Sequence, residues 1–412
     1  MRVVGPEGPT YSWLCEIAMA DAYIIAGVRT PIGKFLGAFS RVSATELGAV
    51  TVRECVQRAG VESGGVDEVI LGMVLAAGAG QAPARQAALK AGLPPTVAAL
   101  TINKMCGSGL KSVMLAAQTV KCGDAKVVVA GGMESMSQSP HLLRGACDGW
   151  KLGDAKLVDS MLHDGLWCAF DDCHMGSHAE STARQHGISR KDQDAFAAES
   201  QRRAATASSE GRFADEIVSV PVTVKGKETI VSADEGPRPD TTAAALARLA
   251  PAFQKDGTVT AGNASTISDG AAAVVVARES IAARSASPWK ARILAYHTSG
   301  GEPRDLFVAP VDAIRGALKR ANLTKNDIDL YEINEAFAAQ MLACVRKLRL
   351  DPAQVNVHGG AIALGHPIGA SGARVLVTLL SALQQRGLRR GIASLCLGGG
   401  NAVAMVVERV EG

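Results

Sequence analysis

Apolar and polar positions in this chain switch between a strand period and a helix period, and the succession occurs twice. Tyr23-Ile24-Ile25-Ala26 is an apolar run that predicts a buried strand. Leu47–Ala59 then carries apolar residues at helical spacing, and Val66-Asp67-Glu68-Val69-Ile70-Leu71-Gly72 predicts another strand. The pattern returns 262 positions later: Arg58-Ala59-Gly60-Val61 matches Arg320-Ala321-Asn322-Leu323, which ends the helix-patterned stretch Val311–Ala321. The strand that follows, Ile328-Asp329-Leu330-Tyr331-Glu332-Ile333-Asn334, matches the one from Val66. Farther on, Ser108-Gly109 opens a helix leading to the strand Lys126–Ala130 and Gly131-Gly132. Ser371-Gly372 opens another, leading to Ile392–Cys396 and Gly398-Gly399. This alternation predicts the α/β class, as duplicated halves that are each a helix-covered mixed sheet.

Residues 137–267 do not repeat and are rich in His, Asp and Ser. One helix is expected there, from Arg190 to about Ala205, with Ser189 as its cap and Asp192 three residues on. An insertion at a strand end of an α/β fold either lies over the site and recognises substrate or decorates the surface. The expected division is 19–136 with 268–287 for the first half, 137–267 for an inserted loop domain, and 288–412 for the second half. Residues 1–18 show no period and lack the basic start and apolar centre of a signal peptide. They are expected to be disordered, or to precede the true start.

Composition narrows the function. Hydrophobic residues make up 47% of 412 and charged residues 20%, which suits a globular chain, and aromatics at 4% predict a core of Ala, Val, Leu and Ile. A net charge of +3 without a basic stripe argues against nucleic acid but suits a polyanionic small molecule. No apolar run is long enough to span a membrane. Nine irregularly spaced cysteines predict reduced thiols in a cytoplasmic enzyme.

Three residues invite covalent chemistry. Cys106 lies in Asn103-Lys104-Met105-Cys106-Gly107-Ser108-Gly109, where a helix start would favour a thiolate and the glycines would admit a substrate. His366 lies in Gly365-His366-Pro367-Ile368-Gly369, a rigid turn that suits a general base of ordinary pKa. Cys396 ends an apolar run ahead of Gly398-Gly399-Gly400, whose N–H groups suit an oxyanion, and its thiol could exchange a proton with carbon. Asn334 follows an acidic strand end and could hold a water or an oxyanion. Taken singly, each has a plainer reading: a buried thiol for the cysteines, a loop-bonding histidine, and a helix N-cap for the asparagine.

Together the motifs Asn-Lys-Met-Cys-Gly-Ser-Gly, Gly-Gly-Met-Glu-Ser-Met-Ser (131–137), Asn-Glu-Ala-Phe-Ala (334–338), Gly-Gly-Ala-Ile-Ala-Leu-Gly-His-Pro-Ile-Gly-Ala-Ser-Gly (359–372) and Cys-Leu-Gly-Gly-Gly (396–400) resemble those of the thiolases, from about Ala22 to Glu408. The resemblance implies Cys106 as nucleophile, His366 as its activator and Cys396 as acid/base. Asn334 would position a water that forms one oxyanion hole with the histidine, and the N–H groups of Cys106 and Gly398 would form the other. Coenzyme A would be the carrier of the substrate, with no tightly bound cofactor, along His174, Met175, Ser265, Phe337, Arg238 and Phe253. The implied reaction is a reversible Claisen condensation of two acetyl-CoA to acetoacetyl-CoA, in a homodimer or homotetramer. The alternatives are a degradative thiolase for longer 3-ketoacyl chains and an inactive acyl-CoA-binding relative. The latter would lack catalytic positions that are filled here. A carrier-protein condensing enzyme generally has one cysteine, so Cys396 argues against it.

Three departures stand out: His358 where the family often has asparagine, Thr266-Ile267-Ser268 for a more usual Gly-Leu-Asn, and Ser177-His178 after Met175-Gly176. Some of them are expected to border the coenzyme pocket. His163, Cys168, Cys173, His174 and His178 also invite a metal reading. The Cys-x4-Cys spacing is loose for zinc and no second tight pair completes it, so no metal is expected.

Overall fold

The computed structural model describes residues 21–149, 151–224 and 226–410, and the expectation for 1–18 lies outside them. The main strands are β1 (Ala22–Arg29), β2 (Glu68–Gly72), β3 (Ala98–Ile102), β4 (Val127–Ser135), β5 (Ser268–Arg278), β6 (Ala291–Gly300), β7 (Leu330–Ile333), β8 (Arg390–Leu397) and β9 (Asn401–Arg409). They form one mixed sheet in the order β7-β8-β9-β6-β1-β5-β4-β2-β3, with the short strand Gly33–Lys34 paired to the start of β5. The order of β7-β8-β9-β6 mirrors that of β2-β4-β5-β1, so the repeat in sequence is a repeat in topology. The halves meet where β1 pairs antiparallel with β6 at Tyr23↔Arg292 and Ile24↔Ala291.

Matched residues perform matched tasks. Gly60 and Asn322, 262 apart, follow the helices α1 (Ala44–Arg58) and α6 (Ala309–Ala321) with φ of 64° and 55°. This is the left-handed turn that ends a helix and favours Gly or Asn. Asp67 Oδ2 accepts the N–H groups of Lys126 and Val127 at 2.6 and 2.9 Å, while Asp329 Oδ2 accepts those of Arg389 and Arg390 at 2.9 and 2.8 Å. In each half an aspartate before one strand thus ties down the start of its parallel neighbour.

Helices α3 (Ser108–Cys122) and α8 (Ser371–Gln385) fill the centre between the two halves of the sheet. From Ser371 to Leu383 every residue of α8 is buried, including the polar stripe of Ser371, Arg374, Thr378 and Ser381 that runs along one side of an otherwise apolar helix. The two helices cross where a Cβ on Gly109 would lie 2.6 Å from the Ala373 nitrogen and one on Gly372 would lie 2.3 Å from the Leu110 nitrogen. On the outer faces, α1 and α2 (Pro83–Lys90) cover the first half, and α6 and α7 (Ala338–Leu348) cover the second. The chain leaves the first half after β4 and returns at β5. Between them lie α4 (Met175–Gln185), α5 (Arg190–Ser209) and short hairpins. Ser189 and Asp192 form the expected capping box of α5, which runs four residues past Ala205. No helix among the described residues is long and apolar enough to cross a membrane.

Candidate active site

The Cys106 turn is held by hydrogen bonds internal to its motif. Met105 has φ of 47°, unusual for a side chain of its size. Asn103 Oδ1 accepts the Met105 N–H at 2.9 Å, and Ser108 Oγ accepts the Lys104 N–H at 2.8 Å while donating to the Met105 carbonyl at 2.6 Å. Cys106 sits ahead of the first helical residue, Ser108, with Gly107 as N-cap. Two expectations need correction. Gly107 and Gly109 serve packing rather than substrate access: a Cβ on Gly107 would lie 2.3 Å from Leu397 Cδ2, and Gly109 lies at the helix crossing. The thiol pKa is not lowered either. Burial pushes it up to about 12 and the Glu134 charge adds to this, although the N–H groups of Cys106 and Gly398 reach the sulfur and act the other way.

His366 Nδ1 lies 2.6 Å from Ser371 Oγ, whose proton goes to the Pro367 carbonyl at 2.9 Å. With its proton spent there, Ser371 must accept from Nδ1–H, which leaves Nε2 as the unprotonated nitrogen. Burial, and then the nearby Arg374 charge, push the imidazole down to about 3 rather than leaving it near its ordinary value. The loop that carries it is pinned by Glu134, which accepts the N–H groups of Gly369, Val74 and Leu75 at 2.9, 3.0 and 3.1 Å. Gly131 and Gly132 lie inside β4 rather than after it, because other backbone presses on them. A Cβ on Gly132 would lie 2.1 Å from the Gly369 carbonyl oxygen, and one on Gly131 would lie 2.0 Å from that of Ala272.

Asn334 is no helix cap, since α7 starts at Ala338 with Phe337 as N-cap. It is buried behind His366, with Nδ2 at 3.5 Å from both ring nitrogens and Oδ1 at 3.5 Å from Arg374. Arg374 in turn faces Glu332 at 3.9 Å, both buried, and burial pushes the Glu332 carboxyl up to about 8 against the Arg374 charge. Cys396, near the end of β8, is buried, and burial raises its thiol well above the ordinary range with Cys106 adding to the shift.

A cavity of about 520 Å³ brings Cys106, His366, Cys396 and Gly398 to one wall system with His174, Met175, Phe253, Ser265 and Phe337. Its remaining lining is mostly apolar and includes Met136, Leu166, Ile267 and Ile368. His174 stacks on Phe253 with ring centres 4.7 Å apart, and its Nδ1 caps α4 by accepting the Gly176 N–H at 3.0 Å. A Cβ on Gly176 would lie 2.2 Å from Phe253 Cγ, so that stack depends on the glycine. Phe337 meets Phe253 and Phe307 edge-on. Arg238 lies off the cavity wall, exposed, with its N–H bonded to Gln201 Oε1 at 2.7 Å.

Of the three departures, Thr266 and Ile267 line the cavity, and the Thr266 carbonyl and Ser268 Oγ accept the His366 N–H at 3.1 and 3.3 Å. His358 lies elsewhere, buried edge-on to Phe213 beside Arg386 and Arg212. Glu134, Ser371 and Arg374 were missed in the sequence reading. Their signal was a charge within an apolar strand or helix and, for Ser371, a hydroxyl five residues after His366. Of the metal candidates, His163 pairs with Arg144 at 2.6 Å and His174 with Phe253. Cys168 and His178 instead come together with Asp171, an acid outside the set that the sequence suggested, and Cys173 touches His178 at 3.5 Å.

Comparison with known proteins fits this geometry. The family model "Thiolase, N-terminal domain" matches residues 22–280, and "Thiolase, C-terminal domain" matches 287–409. An acetyl-CoA acetyltransferase of Pseudomonas aeruginosa is 53% identical over 392 residues, covering 95% of this chain and 100% of its own. A probable acetyl-CoA acetyltransferase of Escherichia coli is 52% identical over 393 residues, with the same coverage. The crystal structure of the Bacillus anthracis acetyl-CoA acetyltransferase superposes with a TM-score of 0.93 at 43% identity, covering 95% of this chain and 99% of that one. Duplicated topology, domain matches and near full-length identity agree, and the chain belongs to the thiolase family.

Proposed function

We propose that this chain is an acetyl-CoA C-acetyltransferase that runs a reversible Claisen condensation through an acyl-Cys106 intermediate, with coenzyme A as a substrate rather than a bound cofactor. The observation that carries this reading is the opening of both thiols, the imidazole and the Gly398 backbone into one apolar cavity. A thiol raised by burial does not ionise unaided near neutral pH, so a neighbouring base has to take its proton. His366, with Nε2 unprotonated and Nδ1 anchored, is the base the cavity offers, and the burial that lowers its imidazole and raises the thiol is relieved as charge moves onto the bound substrate.

In thiolysis, Cys106 passes its proton to His366 Nε2 and the sulfur bonds to the 3-keto carbon. The N–H groups of Cys106 and Gly398 stabilise the oxyanion. The carbon–carbon bond then breaks, and the Cys396 thiol protonates the acetyl-CoA enolate, whose oxygen faces His366 and a water held by Asn334. Free CoA gives its proton to the Cys396 thiolate and attacks the thioester. Cys106 leaves and recovers its proton from His366. Condensation is the reverse, with ping-pong kinetics.

Cys106→Ala is expected to abolish labelling by radioactive acetyl-CoA, and retained label would overturn the assignment. Cys396→Ala is expected to keep that label while losing condensation. Comparing thiolysis of acetoacetyl-CoA with that of a long-chain 3-ketoacyl-CoA tests the short-chain preference. A cytoplasmic homodimer or homotetramer completes the reading, and light scattering on the purified chain tests the assembly.

A further inference from the structure

The hairpin before α4 gathers ligand atoms that acyl transfer does not use. Its two strands pair Trp167 with His174 and Cys168 with Cys173, so the two cysteines face each other across the ladder. The first turns of α4 then bring His178 back towards them. Cys168 Sγ lies 3.9 Å from Asp171 Oδ2, His178 Nε2 lies 3.4 Å from the same oxygen, and Cys173 Sγ lies 3.5 Å from His178 Nε2. The ligand atoms of Cys168, Asp171 and His178 all fall within 4.8 Å of one another, and Cys168 and His178 are buried.

As an ion pair this cluster is poor. A charge-assisted bond between imidazole and carboxylate runs about 2.7–2.9 Å, well short of the separation seen. As a metal cage the distances fit better. Zinc–sulfur bonds of about 2.3 Å and zinc–nitrogen or zinc–oxygen bonds of about 2.0–2.1 Å place tetrahedral ligand atoms about 3.3–3.6 Å apart. The contacts of His178 fall in that range, and the Cys168–Asp171 contact is slightly wider.

We propose that Cys168, Asp171 and His178 bind one divalent cation of the zinc class, and that Cys173, which lies outside their mutual 4.8 Å group but 3.5 Å from His178, turns its side chain in to complete a closed, structural site. This reverses the expectation of no metal and does not depend on the proposed reaction. With Cys173 turned in, two thiols, an imidazole and a carboxylate form a soft tetrahedral set with no open position, so the ion holds structure rather than activating water. Each thiol releases its proton to solvent on binding. The site ties the hairpin to α4 on either side of His174 and Met175, which line the cavity, and so fixes that wall. His178 is also one of the positions at which this chain departs from the family pattern.

The test uses the full-length chain expressed with added zinc and purified under reducing conditions. Elemental analysis is expected to find about one equivalent of zinc per chain. Replacement by cobalt should give the thiolate-to-cobalt charge-transfer band and tetrahedral visible bands. Cys168→Ser and His178→Ala should each weaken zinc at least about tenfold in chelator competition, while Cys122→Ser, at an exposed and remote cysteine, should not. Should a variant fail to fold, the unaltered chain is stripped with chelator and zinc is added back. Metal content of the unaltered chain no higher than in Cys168→Ser, no uptake on re-addition, or a Cys168–Cys173 disulfide in the unreduced peptide map would each overturn the proposal.

Discussion

Ser371→Ala isolates the device that sets the proton on His366. The serine Oγ lies 2.6 Å from Nδ1 and donates to the Pro367 carbonyl at 2.9 Å, so it holds the tautomer whose Nε2 can accept the Cys106 proton. Alanine removes that acceptor from a buried ring. The variant must either leave Nδ1–H unpaired, at about 1–3 kcal/mol, or move the proton to Nε2, where the ring no longer acts as base. That cost falls on the competent tautomer alone, so its ratio to the Nε2–H tautomer drops by about 5- to 150-fold, at 1.36 kcal/mol per tenfold. Rapid-quench measurement of Cys106 acylation by labelled acetyl-CoA reads the step directly. The expected result is that fall in acylation rate with KM little changed, and partial recovery in Ser371→Thr. Acylation by Ser371→Ala within about twofold of the unaltered chain would refute the tautomer argument.

Glu134→Ala should strip the partners from three buried N–H groups, those of Val74, Leu75 and Gly369, at about 1–3 kcal/mol each. Urea unfolding is expected to show a loss of several kcal/mol, and a loss below about 1 kcal/mol would show that the carboxylate does not pin the loop. Gly176→Ala should push Phe253 off His174 and raise KM for acyl-CoA more than it lowers kcat; a fall confined to kcat would count against that wall as a binding surface. His358→Asn tests linkage. Burial, then the Arg386 and Arg212 charges, push His358 down to about 4 from its ordinary 6.5. The folded chain therefore binds that proton more weakly than the unfolded chain. The associated stability is complete above pH 6.5 and is lost as the pH falls towards about 4. Relative to the unaltered chain, the variant should gain up to about 3 kcal/mol on going from neutral pH to pH 4. Parallel stability curves would contradict this.

Much of the fold was legible because its signals are local. The cap of α5 and the matched helix ends at Gly60 and Asn322 use hydrogen bonds or backbone preferences set within a few residues, whereas the clamps at Asp67 and Asp329 reach strands about sixty residues on and emerge only in the structure. The glycines were harder to read. Gly107, Gly109 and Gly132 looked like openings for substrate or a strand end, yet each marks a close approach by a distant segment. A glycine in sequence says that a side chain is unwelcome, not what excludes it.

The sequence by itself determined the repeated α/β architecture and which cysteines and which histidine were worth following, because period, capping and motif are written in neighbouring residues. Only the tertiary structure decided the state of those groups. Burial raises both thiols and lowers the imidazole, and desolvation depends on what packs around a group rather than on its neighbours in the chain. Glu134 reaches a loop 235 residues away. Cys168, too far from Cys173 by spacing to suggest a metal pair, gains Asp171 and His178, and Cys173 meets His178, only when the hairpin closes and α4 turns back on it. Such meetings are set by through-space distance, which no local pattern in the chain encodes.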